Sequence, residues 1–539
     1  MKFINNPILR GFNPDPSILR VNDDYYIATS TFEWFPGVQI HHSRDLIHYK
    51  LIAHPLNRIS QLDMRGNPNS GGVWAPCLSY SDGLFYLVYT DVKAYEGIFK
   101  DTCNYLVTAK DIRGEWSEPV FLNSSGFDPS LFHDDDGRKW LAGMTWDHRK
   151  GRNPFGGILL QEYSEEKKEL VGCPVNIFNG TGLGLTEGPH IFKRNGYYYL
   201  VTAEGGTEFS HAVTMARSKS LSGPYEVDPE NPVLTSKDDF TLELKSSGHA
   251  DIVQTQNGDW YMVHLCRRPL PSKGRSVLGR ETSIQKMQWT QDNWLRLEAG
   301  GNKPQMRVPA PGLPEYFHEE EPARDDFDSE TINIHFQTLR VPLSEDSFSL
   351  RERPGYLRLK GRESLISLHN QSMVARRQQA FCYTASTCVE FEPDTFKQMA
   401  GLLCFYDTNN FYYLYISKDD ESGKSIGILK CDNGSFEYPL DSGASIAGIH
   451  RVYLRVEVNY ERLQFFYSVD ERKWDKLGPI FDASILSDEY CGGSGQIHFT
   501  GAFVGICCQD LSGGRKPADF DWFEYQEEPE NLQPLPKDA

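Results

Sequence analysis

The first three hundred residues alternate short apolar strands with polar turns in a recurring pattern. A short phrase ending in an apolar run is followed by a polar turn and then by an aromatic and β-branched strand, as in Ser17-Ile18-Leu19 and Tyr25-Tyr26-Ile27-Ala28-Thr29. The phrase occurs five times, with a period of roughly sixty residues. Sheet units repeated at this spacing predict a β-propeller with five blades.

The start of each repeated phrase has mostly reactive or polar residues, where packing alone would favour apolar ones. Since the innermost strands of a propeller face one central channel, residues at the same place in each copy are expected to converge near the axis. Buried carboxylates repel one another, so a fold that brings them together usually gains a function from them. The corresponding residues of the five copies are Asp15, Trp74 or Ala75, Asp128, Glu187 and His249.

The pattern changes after about residue 307. Residues 308–324 contain four prolines and the acidic run Glu319-Glu320-Glu321, which is typical of an interdomain linker. Many alternating strands follow over 325–539, as in Val452-Tyr453-Leu454-Arg455-Val456-Glu457-Val458. We therefore predict an all-β protein with a catalytic propeller over 1–307, a linker, and a C-terminal β-sandwich over 325–539.

Composition narrows the class of partner and the compartment. The net charge of −19 argues against nucleic acid and against an anionic membrane as partners. No apolar run approaches the roughly twenty residues of a membrane span, and the start lacks the apolar core of a signal peptide. The eleven cysteines are scattered, which favours reduced thiols. We expect a cytoplasmic protein, and its 13% aromatic residues suit surfaces that stack on sugar rings.

Three acidic residues at the repeated position fit the hydrolysis of a glycosidic bond. That reaction needs one protonated carboxyl to donate to the leaving oxygen and one ionised carboxylate to act on water or on the sugar. A third acid helps, because a neighbouring negative charge raises the pKa of the donor. Glu187 has the longer reach that suits a donor, and Asp15, between Pro14 and Pro16, suits a fixed base. Asp128 is then the third acid.

These motifs resemble the glycoside hydrolases of family 43, β-xylosidase type, over nearly the whole chain. The resemblance implies an inverting mechanism with Asp15 as general base, Glu187 as general acid and Asp128 orienting Glu187 and raising its pKa. It also implies release of xylose from the non-reducing end of β-1,4-xylo-oligosaccharides, with α-L-arabinofuranosidase side activity. The motifs that carry it are Phe12-Asn13-Pro14-Asp15-Pro16-Ser17, Gly126-Phe127-Asp128-Pro129-Ser130, Thr186-Glu187-Gly188-Pro189-His190, Gly248-His249-Ala250-Asp251 and Gly279-Arg280-Glu281-Thr282.

Further pocket residues each have a functional and a structural interpretation. Phe32, Trp74 and Phe127 either form apolar walls against the sugar rings or belong to the propeller core. By resemblance, Phe503 in the sandwich caps the pocket and so restricts the enzyme to chain ends; the alternative is ordinary packing.

Two basic residues complete the predicted site. His249 binds substrate or supports Asp128, or is a buried structural histidine. Arg280 is the arginine that the resemblance places under the sugar hydroxyls and near the carboxylates; a structural ion pair is the alternative.

No cofactor is required by this chemistry, although calcium is a further hypothesis. Some relatives hold calcium on the propeller axis near a histidine, which makes His249 the candidate by position. The acidic segments Asp325-Asp326-Phe327-Asp328 and Asp519-Phe520-Asp521 are alternative calcium sites, or else solvated turns. The resemblance also implies a homo-oligomer, with a tetramer as the expected size.

Two other classes of protein stay open. A five-bladed hydrolase of the fructosidase type would retain anomeric configuration, but its motifs read Asn-Asp-Pro-Asn and Glu-Cys-Pro, whereas this chain has Asn13-Pro14-Asp15-Pro16 and Glu187-Gly188-Pro189. A carbohydrate-binding propeller without turnover is the second, and the three intact carboxylates disfavour it.

Overall fold

The computed structural model describes residues 2–421, 423–492 and 498–529 and divides into two compact units. The first comprises residues 2–268, 280–319 and 340–342. The second comprises the described parts of 269–279, 320–339 and 343–529. Segment 269–279 therefore belongs to the second unit and segment 340–342 to the first. The predicted boundaries placed each of them in the other unit.

The first unit is a propeller of five antiparallel blades, as predicted. Each blade is a sheet whose strands follow chain order from the inside outwards, because a hairpin joins each strand to the next. Blades 1, 2 and 3 consist of Ser17–Val21, Asp24–Thr29, Gln39–Ser43 and Lys50–Ala53; of Gly72–Ser81, Leu84–Ala94, Asp101–Ala109 and Val120–Asn123; and of Ser130–His133, Lys139–Trp146, Phe155–Ser164 and Glu169–Phe178. Blades 4 and 5 consist of Glu187–Arg194, Tyr197–Glu204, Ala212–Ser218 and Glu226–Val227, with Leu234–Thr235 also paired to the third strand; and of Lys245–Gln254, Trp260–Arg267, Glu281–Trp289 and Leu295–Leu297.

The start of the chain is held against blade 5. Strand Phe3–Asn5 pairs with Arg307–Pro309, and the Asn6 side chain bonds the backbone of Ile284 in both directions. The N–H of Leu9 donates to the carbonyl of Thr282, again in blade 5. These contacts tie blade 1 to the blade at the other end of the repeat array.

Apolar clusters between neighbouring blades hold the propeller together. Tyr26 and Leu87 belong to the cluster between blades 1 and 2, and Val88 and Leu141 to the next. Similar clusters join blades 4 and 5 and blades 5 and 1. Burial at roughly 25 cal/mol per Å² of apolar surface is the main stabilising contribution, and it leaves the axis free for polar residues.

The first part of the predicted linker packs on blade 1. The Tyr316 N–H donates to Asp45, and the His318 ring lies 3.0 Å from the carbonyl of His42. The Phe317 ring lies 4.4 Å from the His48 ring. Its proline-rich composition indicated an extended chain but not this aromatic contact with the blade.

The second unit is a two-sheet β-sandwich, as predicted. One sheet contains Arg324–Asp325, Phe348–Ser349, Leu357–Lys360, Cys382–Glu390, Arg451–Asn459, Arg462–Ser468, Asp475–Asp482 and Pro517–Glu527. The other contains Ser372–Arg377, Gln398–Asp407, Asn410–Asp419, Gly423–Asp432, Ser435–Glu437, Ala444–Ser445 and Phe503–Asp510. Short strands also form at Trp34–Phe35 in the first unit and at Thr338–Leu339 in the second.

One large apolar core, with Leu402, Leu454 and Phe520 among its residues, fills the sandwich. The helical elements of the described residues are a 3-10 turn at Ala483–Ile485 and a helix at Asp488–Cys491. Over the same residues, none of the helices combines the length and apolarity needed to cross a membrane.

Candidate active site

Each blade begins with one residue in the left-handed backbone region, and these residues define the true repeat position. Asp and His tolerate this conformation and glycine adopts it freely, whereas Ala rarely does. The residues and their φ angles are Asp15 (55°), Ala75 (23°), Asp128 (56°), Gly188 (55°) and His249 (46°). The sequence alignment of the repeats is therefore wrong at blade 4, where Gly188 is the equivalent of Asp15 and Glu187 lies one residue earlier. The proline that follows this position gives the same alignment, because Pro189 follows Gly188 as Pro16 follows Asp15 and Pro129 follows Asp128.

Asp15 is a buried carboxylate fixed by donors on two sides. The Ser30 hydroxyl donates to its Oδ2 at 2.7 Å, and Arg280 Nη1 donates to its Oδ1 at 3.2 Å. Ser30 directly follows the second strand of blade 1, and the Arg280 carbonyl accepts the Asn13 N–H. These two donors contact different oxygens of the carboxyl group, so they fix the orientation of the Asp15 side chain.

Asp128 and Glu187 form a coupled pair of acids. The Gly188 N–H donates to Asp128 Oδ2 at 3.1 Å, which joins the heads of blades 3 and 4. Burial, followed by the charge of Asp15, raises the pKa of Asp128. Burial, followed by the charges of Asp128 and Asp15, raises the pKa of Glu187 well above its ordinary value.

The two acids differ in their partners. The Gly188 N–H stabilises the charged form of Asp128, and His190 acts in the same direction. Glu187 is the more accessible of the two, as a group that must reach a leaving oxygen has to be. A Cβ at position 188 would lie 3.0 Å from the His249 ring, so glycine provides the space that this ring needs.

The three aromatic residues predicted as pocket walls lie side by side. The Phe32 and Trp74 ring centroids are 6.0 Å apart, and those of Trp74 and Phe127 are 5.4 Å apart. The Arg280 guanidinium lies 5.2 Å from the centre of the Phe32 ring, which brings this wall to the cation beside Asp15. The wall therefore runs from the predicted base across the heads of blades 1, 2 and 3, although all three rings are also largely buried.

His249 is buried beside Asp15, with 3.9 Å between its Nδ1 and Asp15 Oδ1. Burial lowers the pKa of His249 to about 4, since it outweighs the opposing effect of Asp15. The ring is therefore neutral at pH 7 and able both to donate and to accept a hydrogen bond. This environment fits a role in binding or support better than one in proton transfer.

Phe503 lies in the second unit, in the strand Phe503–Asp510. It is fully buried, its ring lies 5.4 Å from the Arg377 guanidinium, and its backbone pairs with Phe405. Ordinary packing therefore accounts for this residue within the sandwich, and its role as a cap remains a prediction.

Several residues named for calcium have other partners. Asp519 receives hydrogen bonds from Arg353 and Arg358, and Asp521 pairs with Arg451. Asp325 accepts the Phe327 N–H instead of facing a common centre. These arginines and amides occupy oxygens that calcium would need.

His249 fits calcium no better, because it shares its surroundings with the Arg280 cation. Over the described ranges, no group of three or more His, Cys, Asp or Glu residues is arranged to hold a metal. A calcium requirement stays a prediction, which chelation followed by an activity assay would test.

Sequence analysis missed four polar residues around the acids. Lys100 acts on Glu187 and lowers its pKa, while burial lowers the pKa of Lys100 itself. The Thr207 hydroxyl accepts a hydrogen bond from Arg280 at 3.2 Å, and His211 packs against Gly248, where a Cβ would lie 1.3 Å from its Cδ2. Ser30 is the fourth. All four stand outside the repeated phrase, so the repeat pattern contained no signal for them.

A five-bladed propeller whose strand heads gather an anchored carboxylate and two coupled acids defines a glycoside hydrolase. The chain belongs to glycosyl hydrolases family 43, whose family description matches residues 4–295. Residues 324–526 match the beta xylosidase C-terminal Concanavalin A-like domain. The predicted family and fold are thus confirmed.

Relatives match the chain over nearly its whole length. It is 52% identical to a beta-xylosidase of Bacillus subtilis (strain 168), covering 97% of this chain and 99% of the relative. It is 51% identical to xylosidase/arabinosidase 43B of Humicola insolens, covering 98% of each. The crystal structure of xylan beta-1,4-xylosidase from Bacillus halodurans C-125 aligns with a TM-score of 0.95 at 56% identity, covering 97% of this chain and all of that one.

Proposed function

We propose that this family 43 member is an inverting, exo-acting β-xylosidase. It releases xylose from the non-reducing end of β-1,4-xylo-oligosaccharides and has α-L-arabinofuranosidase side activity. The observation that carries the proposal is the difference between the surroundings of two acids: Asp15 accepts hydrogen bonds from Ser30 and Arg280, whereas burial and neighbouring acids raise the pKa of Glu187 well above its ordinary value. The names of the relatives support the sugar, and the name xylosidase/arabinosidase supports the side activity.

The two acids have complementary tasks in a single displacement. Glu187 gives its proton to the glycosidic oxygen as the bond from that oxygen to the anomeric carbon breaks. Asp15 takes a proton from water, whose oxygen bonds to the anomeric carbon from the opposite face. Both protons are then accounted for, and the products are xylose of inverted configuration and a shortened chain.

Asp128 acts through Glu187 in this scheme. Its negative charge keeps Glu187 protonated near neutral pH, and its bond to the Gly188 N–H fixes it next to the donor. Arg280 balances the charge of Asp15 and offers further N–H donors to sugar hydroxyls.

Proton NMR of the first-formed product tests the mechanism. With an aryl β-xyloside as substrate, we expect α-xylose to appear before mutarotation. First-formed β-xylose would exclude the single displacement and favour a retaining hydrolase of the fructosidase type. Sugar binding by folded protein without any product would favour the carbohydrate-binding propeller.

Compartment and assembly also belong to this proposal. All eleven cysteines are free thiols, which supports a reducing compartment and hence the cytoplasm. The proposed partner is a small xylo-oligosaccharide, and the proposed assembly is a homo-oligomer, with a tetramer as its expected size. Size-exclusion chromatography with light scattering would measure the assembly directly, and a monomeric mass would contradict it.

A further inference from the structure

Glu204 is a fully buried acid that the proposed mechanism does not use. It ends the second strand of blade 4, Tyr197–Glu204, and is 0% exposed. Its Oε1 accepts a hydrogen bond from the Thr181 N–H at 2.9 Å, and its Oε2 accepts one from the Thr181 hydroxyl. A buried carboxyl group costs free energy unless hydrogen bonds compensate for the lost water. Both donors of Thr181 therefore serve to hold this one side chain.

Thr181 belongs to the segment that leads to the proposed acid. We call residues 180–186, which end directly before Glu187, the acid loop. The two ends of the acid loop meet, since a Cβ on Gly180 would lie 1.9 Å from the Thr186 hydroxyl oxygen. The start of the loop, where Thr181 lies, is thus in contact with the residue that precedes Glu187.

Two contacts fix the acid loop to the end of the second strand of blade 4. The first is the contact between Thr181 and Glu204. The second comes one residue later in the chain, where the Gly205 N–H donates to the Gly184 carbonyl at 2.8 Å. Connecting loops generally move more than the strands beside them, whereas these bonds join the acid loop to a strand that is paired on both sides.

The strand pairing beside Glu187 is irregular, so the sheet alone does not set the position of this residue. Glu187 pairs with Ala203, and pairing then resumes only between His190 and Val201. An irregular pair allows a strand to point a side chain in a new direction. The chain before Glu187, which is the acid loop, is therefore needed to fix where its carboxyl group lies.

We propose that Glu204 is a positioning residue for proton donation: through Thr181 it holds the acid loop so that the Glu187 carboxyl group meets the glycosidic oxygen. This inference rests on the proposed function, in which Glu187 is the general acid. A proton donor must lie within hydrogen-bond reach of the atom that it protonates, and a misplacement of about 1 Å can cost about 10²-fold in rate. A poor leaving group needs the donor and a good one does not, so the leaving group reports such a misplacement.

Glu204→Gln and Thr181→Val test this contact from its two sides. Glutamine replaces one carboxyl oxygen by an NH2 group, which cannot accept a hydrogen bond, so the donor that faces it loses its partner. Thr181→Val removes the hydroxyl and keeps the shape of the side chain. In each variant we expect kcat on xylobiose to fall about tenfold, and kcat on an aryl xyloside with an acidic phenol to fall less than about twofold. The double variant should lose no more than either single variant, because both changes act on one contact.

Thr202→Val is the matched control. Thr202 is a buried threonine of the same strand, and its hydroxyl lies 2.7 Å from that of Thr214. Its replacement also removes a buried hydrogen bond of blade 4, but we expect it to change the rates on both substrates equally. Thr181→Ser, which retains the hydroxyl, should keep the ratio of the two rates found for the unaltered protein.

Two results would overturn the proposal. Equal falls on both substrates in Glu204→Gln and Thr181→Val would assign the contact to stability alone. Unchanged rates on both substrates would show that Glu187 is placed without it. If Glu204→Gln does not fold, as judged by circular dichroism, Thr181→Val decides by the same criterion. Absence of aryl xyloside hydrolysis by the unaltered protein would instead refute the proposed function itself.

Discussion

Buried aspartates have partners of opposite charge in the two units: an acidic neighbour in the propeller and arginines in the sandwich. In the propeller, Asp128 has other acids as neighbours, and burial together with Asp15 raises its pKa. In the sandwich, burial would also raise the pKa of Asp519, but hydrogen bonds from Arg358 and Arg353 outweigh it and lower the pKa. Burial alone therefore does not distinguish a functional acid from a structural one. The partners of each acid decide whether the effect of burial on its pKa is reinforced, as by Asp15 at Asp128, or reversed, as by Arg358 and Arg353 at Asp519.

The largest effect is expected for Asp15→Asn. This change removes the group that activates water but keeps a side chain of the same shape for Ser30 and Arg280. We expect kcat to fall by roughly 10³-fold or more on both xylobiose and activated aryl xylosides. Steady-state kinetics with circular dichroism to verify folding would measure it. Near-normal activity on either substrate would remove Asp15 from the role of base.

Glu187→Gln should separate two kinds of substrate. Xylobiose has a poor leaving group and needs a proton donor, so its kcat should fall by roughly 10³-fold. An aryl xyloside with an acidic phenol needs little protonation of its leaving group, so its kcat should fall by about 10²-fold or less. Equal losses on both substrates would contradict the assignment of Glu187 as donor.

Asp128→Asn probes the coupling between the two acids. The amide oxygen of Asn can still accept a hydrogen bond from the Gly188 N–H, but the negative charge of the carboxylate is removed. Because that charge raises the pKa of Glu187, its removal lowers this pKa, and Glu187 loses its proton at a lower pH. The upper limb of the pH–rate profile should therefore move to lower pH, with a loss of about 10²-fold in kcat/KM. An unmoved limb would show that Asp128 acts only by packing.

Asp519→Asn tests the other half of the comparison. It removes the charge that holds Arg353 and Arg358, so we expect about 2 kcal/mol loss in the free energy of unfolding, reduced from the cost of a fully buried pair because both arginines are partly exposed. The pH–rate profile should not change. Since the folded pKa of Asp519 is lowered, its stabilisation is present above the unfolded value near 4 and is lost as pH falls through the folded value. Urea unfolding at pH 7 and at acid pH would measure both effects.

Lys100→Met is expected to have the smallest effect. Lys100 lowers the pKa of Glu187, so its replacement should raise that pKa and move the upper limb of the pH–rate profile to higher pH. Lys139→Met is the control, since this buried lysine is paired with Glu165 in blade 3. A shift of the same size in both variants would show that general charge, not proximity to Glu187, is responsible.

The sequence predicts the repeats well because each blade needs the same alternation and turn. The five phrases lead to Asp15, Asp128 and Glu187, and the resemblance adds Arg280. The one-residue offset at blade 4 was also predictable, because Pro189 follows Gly188 as Pro16 follows Asp15 and Pro129 follows Asp128.

Long-range contacts could not be predicted from the patterns in the sequence. Lys100 stands in a loop outside the repeated phrase and becomes part of the site only through folding. Segment 269–279 interrupts blade 5 yet packs with the second unit, where Leu270, Val277 and Leu278 join an apolar cluster with Phe381. Patterns within a segment say nothing of such contacts, which depend on residues far away in the chain.

The left-handed turn at the head of every blade has a consequence for how such sites evolve. The same turn accommodates aspartate, alanine, glycine and histidine, so its geometry is independent of the group it presents. The five blade heads thus place side chains at equivalent positions around one axis. In blade 2 the residue at this position, Ala75, has no reactive group. Except at position 188, where a Cβ would crowd the His249 ring, a single codon change at such a point can add or move a reactive group while every strand and loop keeps its place.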